Sequence, residues 1–201
     1  MGAYSTETEE LIKATAKKVF FVDGNVHANT QDIADAAGIN RASIHYYYRT
    51  RKQLFDTVFK EAMGEMKERL STFFEEKLTF REKISQFIDL FFEKSEKNPF
   101  LEIFIITELN VNKEMTLPFI KQANEKRDMN ELQRQINIEV EAGTMKAITW
   151  QHFIATLVSL CSFPYMAKPI LNSGLAFSEE DYKTFLSERK QVILKLIFLD
   201  V

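Results

Sequence analysis

The sequence predicts an all-α fold, with an N-terminal three-helix head that contains a helix-turn-helix and a C-terminal helical body. Apolar residues recur at helical spacing along most of its 201 residues, as at Ile12, Ala16, Val19 and Phe20. No segment shows convincing alternation of apolar and polar residues, which is the pattern of a half-buried strand. Neither an internal repeat nor a low-complexity tract interrupts the helical pattern. These observations together predict helices throughout the chain.

The head is predicted to contain three helices and one very short turn. The first helix runs from about Thr6 to Asp23, and Gly24 ends it. The second and third helices are Gln31–Ala37 and Arg41–Tyr47, joined by the turn Gly38-Ile39-Asn40. Two short helices with such a turn are typical of a helix-turn-helix, whose second helix enters the major groove of DNA.

Individual residues of this segment fit the predicted turn. We expect Thr30 to cap the second helix and Asn40 to cap the third, because their side-chain oxygens can accept from first-turn amides. Gly38 suits the left-handed backbone that follows a helix. Ile44 and Tyr48 are four residues apart, so they share one face, which we expect to pack inward.

The rest of the third helix and the start of the next one suit contacts with DNA. Thr50 and Gln53 form a predicted capping box, so a fourth helix begins here with its amides available to a phosphate. Between Arg41 and Lys52 there are four basic residues and no acidic one. The predicted base-edge contacts are Arg41, Ser43, His45 and Tyr46; the predicted phosphate contacts are Thr30, Tyr47, Arg49, Arg51 and Lys52; Gln31, Asn40 and Ala42 are assigned to the same DNA-binding surface.

A competing interpretation is that this segment is part of an ordinary helical bundle, with Tyr46, Tyr47 and Tyr48 as core aromatics. Consecutive residues of a helix point in different directions, so three adjacent tyrosines cannot all lie in a core. The DNA-binding interpretation is therefore favoured.

The same segment resembles the tetracycline-repressor (TetR) type transcriptional regulators over roughly residues 8–56. The residues that carry the resemblance are Ala14, Phe20, Gly24, Thr30, Ile33, Ala34, Ala37, Gly38, Ile39, Ile44, Tyr46 and Leu54. In that family the recognition helix ends in a Tyr-x-x-Phe-x-x-Lys pattern, and the corresponding residues here are His45, Tyr48 and Arg51. Tyr48 keeps a packing ring and Arg51 keeps the charge with a different donor geometry, whereas His45 leaves the base preference open. Beyond this segment the resemblance is one of helical layout.

Composition mainly excludes other classes of protein. The single cysteine, Cys161, excludes an intramolecular disulfide and a Cys-based zinc site, which fits a reducing cytoplasm. The net charge of −3 is unevenly distributed, with +1 in residues 1–52 and −4 in the remainder. There is no charged-then-apolar leader, so we expect a cytoplasmic protein.

An enzyme is the competing functional class, and the sequence argues against it. His27, His45 and His152 lack the spacing of metal ligands, and Cys161 lies in an apolar helix with no nearby cation to activate its thiol. The six scattered glycines form no phosphate-binding loop. We therefore expect no enzyme activity, no metal site and no cofactor.

The body is predicted to consist of six further helices. They are Arg51 to about Glu76, Phe80–Lys94, Phe100–Leu109, Pro118 to about Ala142, Trp150–Cys161, and a last helix after Ser178. The second of them carries Ile84, Phe87, Ile88 and Phe91 on one face, the third is apolar nearly all round and expected to be buried, and Pro164 and Pro169 delimit a short turn or helix.

Two apolar helices near the C-terminus predict a homodimer. The TetR resemblance implies that they pair with the same helices of a second chain, and a two-fold dimer would present two recognition helices to the half-sites of a palindromic operator. The alternative is that both helices belong to the core of one chain. The uncharged run 149–167 could be mistaken for a membrane span, but it contains Gln151, His152 and Pro164, and a helix buried against a partner chain is the better interpretation.

The aromatic residues of the body suggest a cavity for a small apolar or aromatic effector. The predicted lining residues are Phe87, Phe91, Phe104, Glu108, Trp150, His152 and Phe153, with Glu108 or His152 as the polar contact. The alternative is that a phenylalanine stripe at helical spacing is plain core.

The sequence therefore predicts a DNA-binding domain in residues 1–52 and an effector-binding and dimerisation domain in residues 53–201. The expected function is that of a dimeric, sequence-specific regulator of transcription, a repressor released from its operator by the effector. A helical interaction or ligand-binding module without DNA binding is the alternative.

Overall fold

The computed structural model describes residues 6–111 and 129–199, and this part of the chain is all-α. Its ten α-helices are α1 (Thr6–Lys17), α2 (Thr30–Ala37), α3 (Arg41–Tyr47), α4 (Arg51–Ser71), α5 (Phe80–Lys97), α6 (Leu101–Val111), α7 (Met129–Glu141), α8 (Trp150–Met166), α9 (Lys168–Gly174) and α10 (Glu179–Ile197). A π-helical segment, Lys18–Val22, continues α1, and a 3₁₀ turn, Thr72–Phe74, follows α4. The only β-type pairing among the described residues is one isolated bridge between Met145 and Phe198. The predicted fold class is confirmed.

The described residues divide into two compact units. Residues 6–66 and 95–111 form the N-terminal unit, and residues 67–94 and 129–199 form the C-terminal unit. This division passes through α4 and α5 and places α6 in the N-terminal unit. The functional boundary after residue 52 stays a prediction.

The N-terminal unit is packed around a cluster of phenylalanines. The ring of Phe104 on α6 stacks on Phe20 at 5.9 Å and meets Phe21 edge-on at 4.8 Å between ring centroids. Phe55 of α4 completes the contact at 5.1 Å. Gly24 ends the first helical segment with a φ of 72°, and a Cβ there would lie 3.0 Å from the ring of Phe100. Glycine is therefore favoured at residue 24 by both the left-handed backbone and the close approach of the Phe100 ring.

The predicted burial of α6 on all sides is only partly correct. Leu101, Phe104 and Ile105 are buried, whereas Ile106 is 40% exposed and Glu102 is buried. The helix that precedes α6 was predicted to end at Lys94, whereas α5 continues to Lys97.

The C-terminal unit has a second core built largely from aromatic and aliphatic side chains. The predicted stripe of α5, which comprises Ile84, Phe87, Ile88 and Phe91, is buried in it as expected. α7 contributes Leu132 and Ile136, α8 contributes Phe153, Leu157 and Cys161, and α10 contributes Ile193 and Leu194. Residues 118–128 of the helix predicted to begin at Pro118 lie outside the described residues.

α8 continues past Cys161, where the sequence predicted its end, to Met166. Pro164 lies inside the helix and has no amide hydrogen to donate to the carbonyl of Leu160. Arg189 of α10 supplies the missing donors: its Nε and Nη2 donate to the Leu160 oxygen at 3.2 and 3.1 Å. The broken backbone hydrogen bond is thus replaced by a side chain of the neighbouring helix.

No single helix among the described residues is long and apolar enough to cross a membrane. α8 and α9 together pass that test by length and composition, but they are bent by 69° at the break between them.

Candidate nucleic-acid interface

The first helix of the helix-turn-helix, α2, has its N-cap one residue earlier than predicted. Asn29, not Thr30, caps α2: its Oδ1 accepts from the amides of Gln31 at 2.7 Å and Asp32 at 3.2 Å. Asp32 returns the contact by accepting from the Asn29 amide at 2.7 Å, which completes a capping box. Thr30 is the first helical residue and is buried, so the spacing from Asn29 to Asp32 was the cap signal in the sequence.

The turn between α2 and α3 has the predicted chemistry. Gly38 is left-handed, with a φ of 66°, and its amide contacts the carbonyls of Ala34 and Asp35. Asn40 caps α3 by accepting from the amide of Ala42 at 2.8 Å. Both predictions are confirmed, and the caps set the direction in which α3 leaves the turn.

The inward face of α3 is anchored by the two residues that the sequence predicted. Ile44 is fully buried, and Tyr48 is 5% exposed. The Tyr48 hydroxyl donates to Glu9 Oε1 of α1 at 3.3 Å. Burial, and secondarily the nearby Glu9 carboxylate, raises the pKa of Tyr48 to about 12. Tyr48 is therefore neutral and buried at physiological pH, and its hydrogen bond links the end of α3 to α1.

The opposite face of α3 lies in solvent. Arg41, Ala42, His45 and Tyr46 are exposed, and Ser43 and Tyr47 are half-buried. The rings of Tyr46 and Tyr47 meet edge-on at 5.1 Å. Among the described residues Arg41 and Arg49 make no ion pair. Donors on this face are thus accessible to bases or phosphates.

The start of α4 borders this face. Thr50 accepts from the Gln53 amide at 3.1 Å, as predicted, but Gln53 Oε1 accepts from the Arg49 amide at 2.9 Å, one residue before the expected partner. Lys52 is 77% exposed at its side chain and pairs with Asp56 at 2.7 Å, and such a surface pair is weak enough to be exchanged for a phosphate.

Arg51 is engaged differently from the other predicted phosphate contacts. Its Nε donates to the Ala28 carbonyl at 2.7 Å and its Nη2 donates to the Val26 carbonyl at 2.6 Å. The guanidinium also lies over the rings of Phe20 and Phe55, at 6.0 and 5.3 Å from their centroids. Arg51 therefore ties α4 to the loop that precedes α2.

The remaining predicted DNA contacts lie at the starts of α2 and α3. Gln31 is exposed and its Nε2 donates to Asp35 at 2.7 Å. Thr30 is 6% exposed, so its side chain faces the protein. Asn40 is exposed but its Oδ1 is used in the α3 cap.

The seven residues predicted to line an effector cavity are divided between the two units. Phe104 and Glu108 belong to the N-terminal unit, where Phe104 is core. In the C-terminal unit Phe87, Phe91 and Phe153 are core, Trp150 is half-buried and His152 is exposed. A common cavity for these residues stays a prediction.

The C-terminal unit contains a surface cleft with a different lining. Its volume is about 690 Å³, and it is lined by Phe74, Glu76, Leu78, Phe80, Lys83, Glu131, Arg134, Gln135, Ile138 and Glu139. Sequence reasoning missed Lys83, although its spacing from Phe80 and Phe87 places it on the inward side of α5. Within residues 6–111 and 129–199, no group of three or more His, Cys, Asp or Glu could hold a metal ion.

Comparison with known proteins identifies similarities of the N-terminal segment and of a longer part of the chain. Residues 11–58 match the family profile described as bacterial regulatory proteins, tetR family, and they extend from α1 into α4. Over 145 residues the chain is 26% identical to YhgD of Bacillus subtilis (strain 168), an uncharacterized HTH-type transcriptional regulator, with coverage of 71% of this chain and 74% of that protein.

Solved structures share the fold over nearly the full length. The hemolysin II transcriptional regulator HlyIIR superposes with a TM-score of 0.60 at 21% identity, over 95% of this chain and 97% of that one. The fatty acid degradation regulator FadR from Bacillus halodurans gives 0.58 at 21% identity, over 94% and 96%. A TetR family regulator from Marinobacter aquaeolei VT8 gives 0.60 at 15% identity, over 95% of each chain. At these identities the structures establish a common fold.

Proposed function

We propose that the chain is a dimeric, sequence-specific DNA-binding repressor of transcription. Its residues 11–58 match the profile of bacterial regulatory proteins, tetR family, and it is 26% identical over 145 residues to an HTH-type transcriptional regulator. The observation that carries this proposal is the solvent-exposed face of α3, held outward by the caps at Asn29 and Asn40 and by the buried Ile44. Regulators of this family are not enzymes, and the proposal includes no catalytic step.

We assign base reading and phosphate contact to different residues. The residues proposed to reach base edges all lie on α3 and are Arg41, Ser43, His45 and Tyr46. Ala42, on the same helix, is proposed to make an apolar contact with the bases. Tyr47, Arg49 and Lys52, with Gln31 and the first amides of α4, are proposed to contact phosphates. Thr30, Asn40 and Arg51 are proposed to act through position, since their side chains are buried or bonded to the protein.

A second copy of the chain is the proposed partner of the two long C-terminal helices. Phe163 of α8 is 53% exposed, and Val192 and Leu196 of α10 are 42% and 64% exposed. Large apolar side chains in solvent on two helices are typical of a surface that is covered in an oligomer. A two-fold dimer through these helices would present two α3 helices to a palindromic operator.

The proposed control is by a small apolar effector bound in the C-terminal unit. Such a molecule releases the operator only if it binds the DNA-free conformation more tightly, so it must lower the affinity for DNA by a measurable coupling free energy.

The test is selection of duplexes from a random-sequence pool by the purified protein at low salt, followed by sequencing and sedimentation. A dimer that retains palindromes with half-sites about one helical turn apart supports the proposal. Arg41→Ala is the test variant and should reduce the retention of duplex. Lys146→Ala is its control and should not, because Lys146 is an exposed residue far from α3 in the sequence. Retention of no duplex by the ligand-free, refolded protein would instead support a helical module without DNA binding.

A further inference from the structure

We propose that the cleft between the start of α5 and α7 binds a small amphipathic molecule with a carboxylate group, and that Lys83 receives the carboxylate. This proposal names the binding site and the chemical class of the proposed effector. The identification of the ligand as the effector rests on the proposed function. Binding to the cleft can nevertheless be measured without DNA.

Lys83 is the first observation that points to an anion. The residue is 6% exposed, and its Nζ donates to the neutral Gln135 side chain at 2.9 Å. Among the described residues no carboxylate lies within ion-pair distance of this ammonium group. A buried lysine normally has an opposite charge beside it, because burial of an unpaired charge costs on the order of several kcal/mol.

The acidic residues of the lining are already engaged or lie in solvent. Arg134 donates to both oxygens of Glu131, each at 2.7 Å, and Gln135 donates to Glu131 Oε1 at 2.9 Å. Glu139 accepts from the hydroxyl of Thr144, and Glu76 is exposed. Glu131 interacts electrostatically with Lys83, but its carboxylate is held by Arg134 and Gln135. Lys83 therefore has no carboxylate in direct contact, and a ligand carboxylate would supply one.

The remaining lining residues favour an apolar body on the ligand. Phe74, Leu78, Phe80 and Ile138 line the same cleft, and Ile138 is 48% exposed. A volume of about 690 Å³ lies within the range of small-molecule sites. The lining also carries Glu76, Glu131, Arg134 and Glu139, of which Glu131 and Arg134 pair with each other. The four apolar side chains beside the buried Lys83 match the apolar body and the carboxylate of an amphipathic ligand.

The experiment is isothermal titration of the DNA-free protein with three probes of equal chain length: decanoate, 1-decanol and decyltrimethylammonium, all below micelle-forming concentrations. We expect decanoate to bind more tightly than the other two probes. Lys83→Met should weaken decanoate binding by about tenfold or more and leave 1-decanol binding unchanged, because only the charge pair is lost. Lys77→Met, at an exposed lysine outside the lining, is the matched control and should change neither.

Ile138→Ser provides a second test that does not depend on the folding of the Lys83 variant. It should weaken decanoate and 1-decanol alike by several fold, about what the loss of one apolar contact implies. Tighter binding of decyltrimethylammonium, or an unchanged decanoate affinity in Lys83→Met, overturns the inference. Decanoate bound through Lys83 with no effect on operator affinity supports the cleft and contradicts the effector part of the proposed function.

Discussion

At the scale of single residues, Arg51 and Lys52 are neighbours in sequence with opposite environments. Arg51 bridges two backbone carbonyls and two phenylalanine rings, whereas Lys52 lies largely in solvent. Replacing Arg51 by Met should lower the free energy of unfolding by about 2–3 kcal/mol, because two charge-assisted hydrogen bonds are lost. Lys52→Ala should change it by no more than about 0.5 kcal/mol. Denaturant unfolding of both variants checks this, and equal effects would contradict the positioning role of Arg51.

Arg41 and Lys52 should differ when operator affinity is measured. Arg41→Ala is expected to cost about 1–3 kcal/mol and to relax preference at one position of the operator. Lys52→Ala should weaken binding to all sequences alike and lower the salt slope by about 1. Competition binding with operator variants at several salt concentrations distinguishes the two. If both variants lose affinity uniformly on every sequence, the division into base and phosphate contacts is wrong.

Tyr48 gives the N-terminal unit a predictable loss of stability at alkaline pH. Its pKa is raised from 10.0 to about 12 in the folded protein, chiefly by burial. Because the raised pKa favours the protonated form, its contribution is fully present below pH 10.0 and is lost as the pH rises toward about 12. Denaturation midpoints measured across this window should fall more steeply for the wild type than for Tyr48→Phe. Identical slopes would show that Tyr48 ionises as freely in the folded chain as in the unfolded one.

At the scale of elements, the long helix α8 depends on α10 for one of its hydrogen bonds. The Arg189 guanidinium donates to the Leu160 carbonyl, to which Pro164 has no amide hydrogen to donate. Arg189→Met should therefore lower the free energy of unfolding by about 1–3 kcal/mol, because a partly buried acceptor is left without a donor. The same change should cost about 1 kcal/mol less in a Pro164→Ala background, where residue 164 regains its own amide. Urea unfolding of the four proteins measures this coupling, and a coupling of zero would mean that Arg189 stabilises α8 by packing alone.

At the scale of the whole molecule, DNA binding should depend on the exposed apolar residues of α8 and α10. Leu196→Glu places a charge on the proposed interface and should shift sedimentation from dimer to monomer. Operator affinity should then fall by more than about tenfold, because one half-site contact is lost. Lys183→Glu is the control, since Lys183 is also exposed and points to the opposite side of α10 from Val192, nine residues away. A Leu196→Glu protein that remains dimeric places the interface elsewhere.

The sequence by itself determined the features that depend on neighbouring residues. The turn at Gly38, the caps at Asn40 and Ser178, the inward face of Ile44 and Tyr48, and the buried stripe of α5 all follow from contacts within one helical turn. Helical periodicity and capping chemistry are local, so they can be read from the chain. The error of one residue at the α2 cap arose because Asn29 and Thr30 are both good capping residues.

Only the tertiary structure decided which polar groups meet across the chain. Arg51 reaches carbonyls 23 and 25 residues away, Arg189 reaches Leu160 over 29 residues, and Lys83 meets Gln135 over 52 residues. No periodicity encodes such pairs, since each depends on how helices pack and on which backbone groups that packing leaves without a partner. The division of α3 into a buried and an exposed face was therefore predictable from the sequence, whereas the contacts of Arg51 and the Lys83 cleft emerged only when the distant helices were placed together.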